Sequence, residues 1–186
     1  MLEGKTVNLR VIDKDDLDFE LGLINDLDLW GEYNGVEEQI SKSEWMKRLD
    51  NPPPIWTMTE LKRFIVLKKD GTRIGFVSHS INLSYRQIEI GYNIIPSERS
   101  KGFGTEAAQL MVDYLFLSKN IVRIQATTNV KNKASQRVLE KIGFTIEGTC
   151  RKSSFVRGVW TDCYLYSILR EEWKEPKILT RAVQHQ

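Results

Sequence analysis

The chain has 186 residues, with 27 lysines and arginines against 25 aspartates and glutamates and a formal charge of +2. That length suits one domain, and the near-balance of charge with no long basic block argues against a nucleic-acid binder. No apolar stretch approaches the roughly 20 residues of a membrane span, and the short Met1-Leu2 start lacks the apolar core of a signal peptide, so a cytoplasmic protein with no membrane partner is expected.

Thr6 to Ile12 alternates as a first strand, and Asp13 caps a helix running to about Asn25. Ser41 caps a shorter helix through Leu49, with Glu44 at its third position as in a capping box. Pro52-Pro53-Pro54 makes a stiff connector. Arg63 to Lys69, Ile74 to Leu83 and Arg86 to Ile95 read as three successive antiparallel strands, the first two joined at Asp70-Gly71. His79 falls inside the second of these as a structural histidine, and Pro96, which has no N–H for a ladder, stops the third.

A helix from Thr105 carries Ala107, Ala108, Leu110, Met111, Leu115 and Phe116 at helical spacing, then crosses to a strand at Val122 to Thr128. Such a crossover makes its two flanking strands parallel within an otherwise antiparallel sheet. Asn132 caps a further helix whose apolar face is Ala134, Val138 and Ile142, and Gly143-Phe144 reads as its C-terminal glycine cap. Cys150 and Cys163 are expected on neighbouring strands as free thiols. With only His79 and His185 as histidines, neither a zinc site nor Ser-His-Asp or Cys-His catalysis is expected, and no metal. The domain is read as residues 1–175, with 176–186 as a tail.

The segment Arg99-Ser100-Lys101-Gly102-Phe103-Gly104-Thr105 joins a strand end to a helix start. Glycines at 102 and 104 remove the Cβ atoms that would hold a ligand off the backbone, so successive N–H groups can face phosphate oxygens and the helix dipole adds to the attraction. The same glycines fit the G-x-G-x-x-A dinucleotide fingerprint. That fingerprint needs an acidic residue about 20 positions on for the ribose, and no Asp or Glu occurs between Asp113 and Glu140. Lys119, Arg123, Lys131, Lys133 and Arg137 fill the interval instead, which favours a diphosphate with a further phosphate, as in coenzyme A.

Arg99-x-x-Gly102-x-Gly104, together with Asn132-x-x-Ser135 and Val138-Leu139-Glu140-Lys141-x-Gly143-Phe144, resembles the cofactor motifs of the GNAT superfamily of acyl-CoA N-acyltransferases. Arg157-Gly158-x-x-x-Asp162-x-x-x-Tyr166-Ser167-x-Leu169-x-x-Glu172-Trp173 is similar to the ending of the branch that acetylates ribosomal-protein N-termini. The resemblance spans about residues 4 to 173. It implies an α/β (α+β) fold: a single mixed, mostly antiparallel sheet of about seven strands flanked by helices, with a splayed parallel pair at the cofactor site. It also implies acetyl-CoA as co-substrate and an amine acceptor.

The resemblance further implies cofactor contacts at Arg99, Ser100, Lys101, Gly102, Phe103, Gly104 and Thr105 for the diphosphate, and a backbone donor to the thioester at Ile94 or Ile95. Asn132 would bond the pantetheine amides as well as cap its helix, and Lys133 and Arg137 would meet the 3′-phosphate. Glu89, sent by strand alternation to the face opposite Ile88 and Ile90, is the general-base candidate. Ser135 stands in the region where many members carry a tyrosine acid, acting through water or as a hydrogen bond to the sulfur. Trp30, Tyr33 and Glu37, with Trp45, Trp56, Glu32, Glu38 and the Phe155 to Trp160 hairpin tip, are the acceptor-site candidates. A protein N-terminal α-amine leads as acceptor. A small-molecule amine (polyamine, amino sugar or amino acid) and a CoA-binding module without turnover stay open beside it, as do monomer and homodimer.

Overall fold

Alternating apolar positions shape these segments into strands: β1 (Leu2–Glu3), β2 (Val7–Val11), β3 (Thr59–Lys68), β4 (Arg73–Asn82), β5 (Gln87–Ile94), β6 (Arg123–Asn129), β7 (Thr145–Val156) and β8 (Val159–Leu169). The computed structural model describes residues 1–26, 28, 32–33, 39–50, 59–82 and 87–179. Its single sheet has the order β1-β2-β3-β4-β5-β6-β8-β7. Among the described residues, only β5 and β6 pair in parallel. The eighth strand, beyond the expected seven, is the two-residue β1, too short to leave a pattern in the sequence.

Among the described residues the helices are α1 (Leu17–Ile24), α2 (Lys42–Asp50), α3 (Phe103–Ser118), α4 (Lys133–Ile142) and α5 (Arg170–Trp173). Asp13 caps a short 3-10 turn at Lys14–Asp16 that leads into α1, and Ser41 Oγ accepts the N–H of Glu44 at 3.2 Å to cap α2. One sheet face carries Val66, Val77, Ile88, Ile90, Ile94, Ile124, Tyr166 and Ile168, buried with α3 and α4. On the other face Phe76 packs with Leu23 and Ile24 of α1. There Glu20 of α1, fully buried, accepts from the Trp45 indole at 2.8 Å and from Arg63. Asp16 takes Arg10 and Arg73 together. Burial pushes the Asp16 carboxyl up, but these hydrogen bonds outweigh it and hold the group below the usual carboxylate range.

The structure moves several boundaries. β3 begins at Thr59 rather than Arg63, because its first residues pair with β4 out to Asn82. α3 begins at Phe103 rather than Thr105, with Gly102 (φ +88°) as its N-cap. The apolar face of α4 keeps Ile142 and Val138 of the expected set but not Ala134. Ala134 is exposed and Val138 half-buried, and the buried residues are Gln136, Leu139 and Ile142. Gln136 is polar and so carried no core signal; its amide donates to the carbonyls of Asn129 (3.2 Å) and Val130 (2.9 Å), which turns that side of the helix inward. The Pro52-Pro53-Pro54 connector lies outside the described residues.

Asp113 of α3 is fully buried. Its carboxylate accepts from Gln109 (2.9 Å), the Trp173 indole (2.9 Å) and the N–H groups of Lys177 (3.0 Å), Ile178 (2.8 Å) and Leu179 (3.3 Å). The chain is thereby hydrogen-bonded to α3 as far as Leu179. Asp113→Ala leaves these donors without their acceptor, at a cost of roughly 3 kcal/mol. A fall of roughly 6 to 12 °C in the thermal midpoint is expected for a domain of this size. An unchanged midpoint would mean that this clamp contributes nothing to stability.

Candidate active site

The site begins where two strands part. β5 and β6 register only at Ile88 with Ile124 and Glu89 with Gln125, although β5 continues to Ile94 and β6 to Asn129. Beyond Glu89 the edge of β5 therefore faces a gap. The N–H of Ile95 donates to Ile74 O on β4 at 2.9 Å, and antiparallel alternation turns the N–H of Ile94 the other way, toward the gap. Of the two expected backbone donors, Ile95 is engaged in the sheet and Ile94 is the one that faces the gap.

At the end of β5 the chain turns through a 3-10 segment, Pro96–Glu98, into the glycine-rich loop. Arg99 Nε donates to Ile94 O at 2.8 Å, and burial lowers the Arg99 pKa. Ser100 (φ +62°) and Gly102 (φ +88°) take left-handed conformations that aim the following backbone into α3. The first intrahelical bond is Glu106 N to Gly102 O at 3.1 Å, so the N–H groups of Phe103, Gly104 and Thr105 have no intrahelical acceptor. A Cβ built on Gly102 meets nothing within 4 Å, and one on Gly104 meets only Ile94 Cγ1 at 3.5 Å. This open cradle of donors at a helix N-terminus fits a diphosphate.

Two charges in that region are committed elsewhere. Lys101 pairs with Glu98 at 3.0 Å, an ion pair that holds the Glu98 carboxyl below its ordinary range. Glu106 is bound to Thr6 and Val7, where it ties the start of α3 to β2. The backbone and the helix dipole, more than Lys101, are what this loop offers to an anion.

Across the gap, α4 is fixed at its start. Asn132 Oδ1 accepts the Ser135 N–H at 3.1 Å, Lys133 Nζ donates to Gln136 at 3.0 Å, and Arg137 is exposed. Tyr92 of β5 reaches over to this turn, with its hydroxyl 2.9 Å from Ser135 Oγ and donating to Ser135 O at 3.2 Å. Burial pushes the Tyr92 phenol well up, against a smaller opposing effect of the Ser135 hydrogen bond. Sequence reasoning passed over Tyr92. A tyrosine in a half-buried strand has no distinguishing pattern, and only register shows where its hydroxyl ends.

Glu89 occupies the other sheet face, accepting from Thr127 Oγ1 at 2.8 Å and Gln125 Nε2 at 3.3 Å, with Ser80 opposite it on β4. Glu89 and Ser135 are thus not neighbours; they flank the splayed strands from opposite sides of the sheet. Trp30, Glu37, Glu38 and Trp56 lie outside the described residues, while Tyr33 is a half-buried turn residue and Glu32 an exposed one. The β7–β8 hairpin turns at Arg157-Gly158, where the exposed Phe155 and Trp160 rings meet at 5.3 Å. Arg157 approaches Asp28, beyond α1, at 3.6 Å. Cys150 and Cys163 face each other across β7 and β8 as free thiols. Among the described residues, no helix is long and apolar enough to cross a membrane.

A parallel strand pair parts here beside a glycine-rich helix N-terminus, with a carboxylate on one side and a hydroxyl on the other, an arrangement with room for an extended acyl thioester and donors for a diphosphate. Residues 6–145 match the acetyltransferase (GNAT) domain family, and the chain belongs to it. Probable N-acetyltransferase YjcK of Bacillus subtilis strain 168 is 33% identical over 184 residues, covering 92% of this chain and 98% of that protein. YdaF of the same strain, named as a candidate ribosomal N-acetyltransferase, is 35% identical over 109 residues, 58% of this chain and 60% of that one. The crystal structure of spermidine N-acetyltransferase from Vibrio cholerae in complex with CoA and spermine superimposes with a TM-score of 0.78 at 26% identity, covering 91% of this chain and 99% of that one. The protein is an acetyl-CoA-dependent N-acetyltransferase.

Proposed function

We propose that this enzyme acetylates the α-amine at a protein N-terminus by direct transfer within a ternary complex, with no acyl-enzyme. Acetyl-CoA supplies an activated acetyl group. The N–H groups of Phe103, Gly104 and Thr105 hold its diphosphate, Lys133 and Arg137 meet its 3′-phosphate, Asn132 serves the pantetheine amides, and the Ile94 N–H polarises the thioester carbonyl. Glu89 takes a proton from the incoming ammonium, since an α-amine with a pKa of about 8 is mostly protonated at neutral pH. Ser135 donates a hydrogen bond to the departing sulfur.

The observation that favours an α-amine is how the acids on the α1 side of the sheet are spent. Each buried or helix-borne carboxylate of the α1 segment is already paired: Asp16 with Arg10 and Arg73, Asp18 with Lys42, Glu20 with Arg63. Among the described residues Glu89 is held only by the neutral Thr127 and Gln125 side chains and can receive one positive charge, whereas a polyamine brings several that each need a partner. A polyamine acceptor is the second reading, supported by the likeness to the spermidine enzyme and by Glu32, Glu37 and Glu38 in the sequence.

Thiol release from acetyl-CoA, measured across peptides beginning with Ala, Ser or Met and against spermidine and spermine, tests the choice. A kcat/KM at least about 10-fold higher for one of the peptides is expected, equivalent to about 1.4 kcal/mol of preferential transition-state binding. The reverse order would establish the polyamine reading.

A further inference from the structure

Glu89 belongs to β5, but its side chain is held from the strand across the gap. In the reaction above, one ammonium proton passes to a Glu89 oxygen, the freed nitrogen lone pair bonds to the acetyl carbon, and the carbon–sulfur bond breaks with its electron pair going to sulfur. The second nitrogen proton ends on sulfur or in water, and Glu89 returns its own to solvent. For the first transfer the carboxylate must stand within about 2.6 to 3.2 Å of the amine, at the place where the thioester lies. Where the carboxylate sits along the sheet therefore matters as much as its basicity.

Glu89 closes the paired part of the two strands, with Gln125 as its partner on the last rung. Gln125 Nε2 donates to Glu89 Oε2 at 3.3 Å, a long bond. Thr127 lies two residues further along β6, about 6.6 Å by strand rise, on the stretch that has already parted from β5, and alternation keeps it on the Glu89 face. Its hydroxyl donates to Glu89 Oε1 at 2.8 Å. The carboxylate is thus drawn forward from its own rung toward the mouth of the gap. Among the described residues both bonds come from β6, although Ser80 stands opposite Glu89 on β4. Thr127 is exposed, so its side chain is not needed to fill the core.

We propose that Thr127 is a positioning residue for the acetyl transfer: its hydroxyl holds the Glu89 carboxylate over the opening between β5 and β6, where the amine meets the thioester. This rests on the reading of Glu89 above as the general base. A carboxylate has about four lone-pair sites, so the two bonds fix both oxygens and still leave each one able to accept from the amine. Without Thr127, the bond from Gln125 holds the carboxylate beside the paired rung, and the other oxygen regains rotamer freedom that the transition state must then take away. A shift of about 1 Å in a reacting group is enough to slow a reaction by up to about 10²-fold.

The test uses the full chain with acetyl-CoA and two amines of different class, an alanine-initiated peptide and spermidine, so that either acceptor can report. Thr127→Val keeps the shape and strand preference of the side chain and removes its hydroxyl. Thr127→Ser keeps the hydroxyl and removes a methyl group. With the better of the two amines, Thr127→Val should lower kcat about 10-fold, while the KM for acetyl-CoA and the calorimetric affinity for CoA stay within about twofold. Thr127→Ser should stay within about threefold of the wild-type kcat. Both variants should keep the thermal midpoint to within about 2 °C, as for a surface substitution.

In the Glu89→Gln background, Thr127→Val should change kcat by less than about twofold, because the hydroxyl acts only through the carboxylate. A crystal structure of Thr127→Val should show that carboxylate drawn back to Gln125. If Glu89→Gln is slow but Thr127→Val turns over at the wild-type rate, the proposal is overturned and Glu89 remains the base. Equal losses in Thr127→Val and Thr127→Ser also overturn it, since the hydroxyl is then not the cause. So does a 10-fold loss that persists in the Glu89→Gln background, which shows Thr127 acting by a route other than the carboxylate. Full activity of Glu89→Gln removes the base reading, and the role of Thr127 falls with it.

Discussion

Replacing Glu89 by Gln should lower turnover by about 10²-fold or more at neutral pH while leaving CoA affinity nearly unchanged. The amide has almost the shape of the carboxylate, and its oxygen can still accept from Thr127 Oγ1, which is 2.8 Å away in the wild type. The fold should therefore persist, and an unaltered thermal midpoint would show that it does. What is lost is a proton acceptor on the sheet face away from α3, at the last residue before β5 and β6 separate. The wild-type rate should rise with pH as the acceptor amine deprotonates, and the variant should regain part of its activity at high pH, where solvent supplies free amine. Full activity of Glu89→Gln at neutral pH would remove Glu89 from the mechanism and leave proton removal to water held by the chain.

Gly104→Val should weaken CoA binding by about 10- to 100-fold, the loss expected when one or two charge-assisted hydrogen bonds to a phosphate are displaced. Position 104 is the cleaner place for this test. A Cβ there makes an ordinary contact with Ile94 Cγ1 at 3.5 Å, whereas Gly102 has φ +88° and any side chain would strain the N-cap of α3. The branched side chain projects over N–H groups that the helix leaves open, so the ligand and not the fold should register the change. Calorimetric titration with CoA decides it. Unchanged affinity in a folded variant would place the diphosphate elsewhere.

Much of the chemistry was legible from the chain alone. Gly102, Gly104, the Asn132 cap and the Gly143-Phe144 stop act within a few residues, because a left-handed φ, an open helix start or a side-chain cap is decided by the local backbone. The crossover from β5 to β6 followed from strand, helix and strand in succession, since connection handedness leaves one arrangement. Glu89 was placed on the correct face by alternation, which has a period of two and needs no partner strand.

Other features depended on which distant segments meet. That Ile94 and not Ile95 faces the gap rests on the hydrogen bond between Ile95 and Ile74. The burial of Gln136 depends on carbonyls at the end of β6, and Lys101 spends its charge on Glu98 because the loop folds back on itself. Tyr92 meets Ser135 across 43 residues of sequence. By itself the sequence determined the glycine-rich turn into α3, the helix caps and the enzyme family, because each is written in short-range geometry. The tertiary structure alone decided which hydroxyl, amide and carboxylate line the gap and from which side of the sheet, because strand register and helix docking are collective results of packing the whole core.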